Sequence, residues 1–163
     1  MSEIIKLQVK KVIRAKREKV FQAWTQPEIV KRWFAPGKMT VPDAQINLRI
    51  GGAFRIQMNG EMGKTPTAIG VYKKIISNDL LVFTWSWEGD DSPETFVTVE
   101  IKDVKGGTEV VIIHERFADY KTRDLHKQGW KGCLENLIKR ISQWEKRRTL
   151  KQASENYQVN IQC

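Results

Sequence analysis

One stretch constrains this chain more than any other: Gly129 to Trp144, GWKGCLENLIKRISQW. Its apolar residues are Trp130, Cys133, Leu134, Leu137, Ile138, Ile141 and Trp144. They recur at three- and four-residue steps, which is one face of a 3.6-residue helix. Lys131, Glu135, Lys139, Arg140 and Gln143 fall on the other face. One side of this helix must therefore be covered. No other segment reads as a helix of similar length, and most of the sequence before it reads as strand. A sheet is the surface left to cover it, and a ligand would sit where helix and sheet meet.

The strands are legible by their period of two. Ile5 to Ile13 alternates through Leu7 and Val9, as a half-buried strand does. Arg17 to Thr25 changes to helical spacing through Val20, Phe21 and Trp24. Pro27 ends that helix and opens a second short one, Glu28 to Phe34, which Pro36-Gly37 stops. Six further strands follow: Thr40 to Leu48, Ala53 to Asn59, Thr67 to Ile76, Leu80 to Glu88, Thr95 to Val104 and Thr108 to Phe117. Gly51-Gly52, Ser77-Asn78-Asp79 and Gly106-Gly107 read as the turns between them. Gly70 inside a strand marks a bulge or a close approach. Turns this short make the sheet antiparallel. The expected fold is α+β: a seven-stranded antiparallel sheet, two short helices after the first strand, and a long C-terminal helix capped by Asp119 or Thr122.

A chain of 163 residues suits one domain, here residues 1–148. Residues 149–163 follow Lys146-Arg147-Arg148 and lose the apolar period. They read as a tail, mobile or docked on a neighbour, with Tyr157, Val159 and Ile161 spaced like a short strand that could pair across a dimer. Monomer and homodimer are both open. The net charge of +9 is uneven. Residues 1–38 hold ten lysines and arginines against three acids, residues 39–118 eight against eleven, and residues 119–163 ten against five. Basic ends suit an acidic partner, or simply a solvated surface; no nucleic-acid motif accompanies them. No apolar run approaches the ~18–20 residues of a membrane span, and the N-terminus lacks a signal-peptide core. With only Cys133 and Cys163, neither at metal-ligand spacing, the chain reads as a reduced, cytoplasmic protein without cofactor.

The candidate site is aromatic. Trp33, Phe54, Phe83, Trp85, Trp87 and Trp130 are expected to face the gap between sheet and helix. Met58, Val71, Val97, Val99, Leu134 and Leu137 join them. They either fill a close-packed core or line an apolar pocket of a few hundred Å³. His114 shares strand parity with Val110 and Ile112 and is expected to point inward. A lone histidine is more often a satisfied polar group than a catalyst. His126 lies in the polar lead into the long helix and reads as exposed, too far from His114 for a metal site. Arg49 and Arg55 flank Gly51-Gly52; a surface ion pair is the favoured reading over an anion site. Cys133 reads as core packing.

Several of these landmarks together resemble a known family. They are Val20-Phe21-Gln22-Ala23-Trp24-Thr25-Gln26-Pro27-Glu28, Lys31-Arg32-Trp33-Phe34-Ala35-Pro36, Asn47 to Arg55, Leu81 to Trp85, Gly106-Gly107-Thr108 and Gly129-Trp130. The sequence resembles the bacterial family named for similarity to the C-terminal domain of the activator of the heat-shock protein 90 ATPase. That family belongs to the helix-grip superfamily of START lipid-transfer domains, Bet v 1-like proteins and polyketide cyclases. The resemblance spans Ile5 to Trp144. It implies a sheet curled around the long helix with a cavity between them, and it carries over no catalytic residue. The expected function is a non-enzymatic binding protein holding a small apolar or amphipathic molecule. The alternative is a module that binds a chaperone through the basic ends. A third reading, a cyclase- or hydrolase-like enzyme using His114, needs a carboxylate within its reach.

Overall fold

The computed structural model describes residues 4–162, with side chains described through residue 155. The chain runs β1 (Lys6–Ile13), α1 (Arg17–Thr25), α2 (Pro27–Val30), β2 (Thr40–Ile46), β3 (Ala53–Asn59), β4 (Thr67–Ile76), β5 (Leu80–Trp87), β6 (Thr95–Val104), β7 (Gly107–Glu115) and α3 (Tyr120–Gln162). The strands form one antiparallel sheet in the order β1-β7-β6-β5-β4-β3-β2. From β2 onward each strand pairs with its sequence neighbour, and β1 closes on β7. The expected α+β helix-grip architecture is the one observed.

The sheet curls where β3, β4 and β5 meet. An added Cβ at Gly70 would lie 1.9 Å from the Thr84 carbonyl oxygen and 2.6 Å from the Phe54 ring, so only glycine admits this approach. Next to it the Val71 N–H donates to Thr84 Oγ1 at 2.9 Å, and the β4–β5 register shifts between Tyr72 and Lys74. The hydroxyl takes a backbone donor at the bend, which would otherwise be left without a partner. The β2–β3 turn is pinned to the same strand: Gly51 N–H donates to the Tyr72 carbonyl and Tyr72 N–H to the Gly52 carbonyl, at 2.8 and 2.9 Å.

This bend corrects one expectation. The inward row of β4 is Ala68, Gly70 and Tyr72, and Gly70 sits opposite the buried Phe54. Val71 sits opposite the exposed Ala53 and faces outward. The glycine occupies an inward position because Phe54 fills the space a side chain would need.

Inside the curl, Leu134 and Leu137 of α3 are fully buried, with Ile141, Cys133 and Trp130 nearly so. They pack with Val97, Val99, Val110 and Ile112 of the sheet and with Val20, Ala23 and Trp24 of α1 in one core. Asp119 caps α3, its Oδ1 accepting the Thr122 N–H at 2.7 Å. Further along, Asn136 Nδ2 donates to the Ala35 and Gly37 carbonyls at 2.6 and 3.2 Å. Arg140 Nε donates to the Arg32 carbonyl at 3.0 Å. These bonds hold the segment after α2 against the long helix.

The C-terminal segment departs from the sequence reading. α3 has 43 residues, roughly 65 Å at ~1.5 Å per residue, and continues through residues 149–162. The backbone of Tyr157, Val159 and Ile161 is helical and not a strand; their side chains lie outside the described ones. Residues 149–162 contain neither Gly nor Pro, so no residue in them breaks the helix. Burial ends earlier: Trp144 and Glu145 are half-buried, and residues 146–155 are all exposed. No helix among the described residues is long and apolar enough to cross a membrane.

Candidate functional site: an aromatic cavity at the open end of the grip

Between the N-terminal part of α3 and β5 lies a cavity of about 290 Å³. The helix supplies Leu125, His126, Gly129, Trp130 and Cys133 to its wall, a stripe at four-residue steps. β5 supplies Trp85 and Trp87, alternate residues of one strand face, and β3 supplies Met58. Phe34, Pro36, Met39 and Pro66 close the rim from the loops. No charged side chain lines it. An added Cβ at Gly129 would meet nothing within 4 Å; the missing side chain is part of the space.

Two indole–imidazole bonds pair ring nitrogens around this cavity. Trp130 Nε1–H donates to His114 Nδ1 at 3.0 Å. That leaves the His114 proton on Nε2, which lies 2.7 Å from Thr95 Oγ1. The Thr95 hydroxyl in turn donates to the Trp85 carbonyl at 3.0 Å. Every hydrogen in this chain has an acceptor only if His114 is neutral. Burial, with His126 adding to it, pushes His114 down to about 2. The second pair is Trp87 Nε1–H to His126 Nε2 at 3.1 Å, with His126 Nδ1 2.8 Å from the Thr122 carbonyl. His126 is likewise held below the ordinary range, by burial outweighing that carbonyl bond.

His126 is therefore half-buried against Trp87 and not the exposed residue its polar surroundings suggest. The two histidine rings lie 5.3 Å apart, because the first turns of α3 fold back over the end of β7. His114 does point inward, and its partners are a hydroxyl and an indole. Glu88 is engaged elsewhere: its carboxylate takes Arg55 Nε and Nη2 at 2.8 and 3.0 Å. Glu115 lies on the opposite strand parity. Arg55 forms a surface ion pair linking β3 to the end of β5, and Arg49 is exposed. Among the described residues no cluster of three or more His, Cys, Asp or Glu is placed to hold a metal. The Cys133 thiol, in the cavity wall, is pushed by burial up to about 12, too high for a thiolate nucleophile at neutral pH.

The predicted site residues separate into three groups. Met58, Trp85, Trp87 and Trp130 line the cavity. Trp33, Phe54, Phe83, Val97, Val99, His114, Leu134 and Leu137 are buried in the core around it. Where Phe54 and Phe83 meet Trp24 and Phe34, only about 10 Å³ is left, too little for a ligand. Val71 lies on the outer face, in a separate open hollow of about 610 Å³. Residues not singled out as lining the site are Phe34, Pro36, Met39, Pro66, Leu125, His126, Gly129 and Cys133. Leu125, Gly129 and Cys133 carried a signal, since they extend the α3 face by i, i+4 steps one turn earlier. Pro66 and Met39 carried none, because they arrive from distant loops.

The fold agrees with the comparisons. A family model described as Activator of Hsp90 ATPase homolog 1-like protein matches residues 14–142. No curated protein matches the sequence. Among solved structures, a protein of the same description from Silicibacter pomeroyi is 19% identical with a TM-score of 0.77, covering 85% of this chain and 98% of that one. A protein from Nitrosomonas europaea is 22% identical, with a TM-score of 0.74 and coverages of 86% and 96%. A like-named Aeromonas hydrophila protein is 22% identical, with a TM-score of 0.72 and coverages of 86% and 94%. At these identities the likeness is one of fold. The matched residues take in both short helices, all of the sheet after β1, and the buried part of α3. The chain belongs to the Activator of Hsp90 ATPase homolog 1-like family, within the helix-grip superfamily.

Proposed function

We propose that the protein binds a small apolar or amphipathic molecule, without catalysis, in the cavity between α3 and β5. The observation that carries this reading is the unfilled space at Gly129, walled by Trp85, Trp87 and Trp130. At about 290 Å³ it lies at the small end of the ~300–1,000 Å³ common for ligand pockets. Met39 and Met58 in its wall are flexible enough to adapt to different shapes. His114, saturated by Trp130 and Thr95 and with no carboxylate in its bonds, supports a structural role over an acid–base one. A backbone-amide NMR titration with small apolar molecules tests the reading. Saturable shifts are expected around Trp85, Trp87 and Gly129, and Gly129→Leu, which plugs the space, is expected to abolish them. Shifts that survive the plug, or cluster elsewhere, would overturn it.

A second reading, a protein-interaction module for a chaperone, is favoured by a different surface. The groove between α3 and the segment after α2, about 600 Å³, is lined by Lys31, Arg32, Lys38, Lys139 and Arg140 with no acid in its wall. Arg140 is held there by its bond to the Arg32 carbonyl. Such a surface suits an acidic protein segment. Binding through it is expected to weaken steeply between low and physiological salt, where the screening length is ~8–10 Å. Pull-down of a chaperone that is insensitive to both salt and Lys139→Glu/Arg140→Glu would sink this reading.

A further inference from the structure

The two ends of the fold differ in charge. In an antiparallel sheet every second turn lies at the same end. The β1–α1, β2–β3, β4–β5 and β6–β7 turns share one end: Ile13 pairs with Thr108, Val104 with Gly107 and Ile76 with Leu80. The β2–β3 turn is bonded to Tyr72, and the Ile101 N–H donates to the Asp79 carbonyl at 2.8 Å. α3 leaves the body here, where Glu145 and Arg148 line one hollow with Arg14, Lys16 and Gly107. Residues 14–19, 47–52, 73–79, 102–109 and 145–151 together hold thirteen lysines and arginines against five acids. The loops at the other end, where the cavity lies, are residues 60–66, 88–94 and 116–124. They hold four against seven.

Three of the five acids at the basic end are already engaged, Asp79 and Asp103 with Arg17 and Glu145 with Lys19. Arg14, Lys16, Arg49, Lys105, Arg147 and Arg148 form no ion pair among the described residues. Exposed aliphatic side chains stand between these cations: Val12, Leu48, Ile50, Ile76 and Val104 near the turns and Leu150 on the helix. Ile50 is 68% exposed and follows Arg49; Leu150 is 71% exposed and precedes Lys151. The cavity end exposes Met62 and Leu125 as well, but among an excess of acids. Cations interleaved with aliphatic side chains suit a surface that is anionic outside and apolar beneath. Spread over separate turns, they match a fluid surface better than a partner of fixed shape.

We propose that this end of the molecule docks on an anionic lipid bilayer. Its free cations meet the headgroups, and Ile50, Val104 and Leu150 enter the headgroup region. The cavity, at the opposite end, stays open to solvent. The attachment is peripheral, since no helix among the described residues is long and apolar enough to cross a membrane. It does not depend on whether the cavity holds a ligand.

Co-sedimentation with vesicles tests the proposal, comparing phosphatidylcholine alone with phosphatidylcholine containing about a third phosphatidylglycerol. Binding is expected only to the anionic vesicles, and to weaken as salt is raised. Each cation near such a surface strengthens binding about fivefold, so Arg147→Glu/Arg148→Glu is expected to weaken it by about 25-fold or more. Ile50→Ser and Leu150→Ser keep the charge and alter exposed positions. Each is expected to weaken vesicle binding about threefold to tenfold and to leave binding to polyglutamate or duplex DNA unchanged. In wild type, a paramagnetic lipid is expected to broaden the amide resonances of Ile50, Val104 and Leu150 and to spare those of Trp87 and Leu125. Equal binding to both kinds of vesicle, no binding to either, or broadening at the cavity end instead would overturn the proposal. So would serine variants that bind anionic vesicles as tightly as wild type; with tight binding to polyglutamate or DNA, that result would reassign the surface to an acidic protein or a nucleic acid.

Discussion

Two glycines within one turn of α3 do opposite things. Gly129 opens onto the cavity, and an added Cβ there meets nothing within 4 Å. Gly132 faces the loop after α2, where an added Cβ would lie 2.9 Å from Pro36 Cβ and 3.2 Å from its Cα. Asn136 fixes that loop through the Ala35 and Gly37 carbonyls, so Pro36 cannot move away freely. Glycine in a helix interior costs about 1 kcal/mol relative to alanine. Gly129→Ala should therefore raise stability by about 0.5–1 kcal/mol. Gly132→Ala gains the same propensity but must displace the loop, for a net loss of about 1–2 kcal/mol. Urea midpoints at constant m-value read both. Equal effects of the two substitutions would show that the contact with Pro36 is not tight.

At the scale of elements, α3 joins everything the site needs. Its first turns carry the cavity wall, its middle carries the core, and its side chains hold the segment that forms the rim. The middle was the most legible part of the chain, because Trp130, Leu134, Leu137 and Ile141 repeat at helical spacing and are all buried. The strands were legible for the same reason, with period two through Leu81, Phe83 and Trp85. The misreadings have physical causes. Val71 reads as inward from the sequence because Gly70 has no side chain to declare its face. His126 reads as exposed because a polar residue near Lys127 and Asp124 looks solvated; what buries it is Trp87, 39 positions away. The end of α3 reads as a tail in the sequence because periodicity reports burial. A helix that projects beyond the sheet has no face to bury, and so no period to read. The cavity itself was only half legible. Its walls are aromatic residues on one strand face, but its emptiness comes from Gly129 and from loops that sequence spacing does not bring together.

The whole molecule ties stability to pH through the same network that walls the cavity. In the folded state His114 Nδ1 accepts from Trp130 while Nε2–H donates to Thr95. A second proton on His114 would set an N–H against the Trp130 N–H, in a site with no exposure. The folded pKa is about 2, whereas the unfolded side chain titrates near ~6.5. Between these values the unfolded chain binds one proton more than the folded one. Stability is then fully present above about pH 6.5 and declines as the pH falls, by up to ~1.4 kcal/mol per pH unit for this one group. His126 is shifted in the same direction and adds to the decline. His114→Gln isolates the contribution of His114. Glutamine keeps one acceptor for Trp130 and one donor for Thr95 but cannot titrate. Its stability at pH 7 should be lower than that of the wild type, because the amide fills the space less well. Its loss between pH 6 and pH 5 should be smaller than the wild-type loss by about 1 kcal/mol. Urea unfolding of both proteins at pH 7, 6 and 5 makes the comparison. If the two lost stability in parallel, His114 would have to be taking its proton in the folded state as well, and the Trp130–His114–Thr95 chain could not be arranged as described.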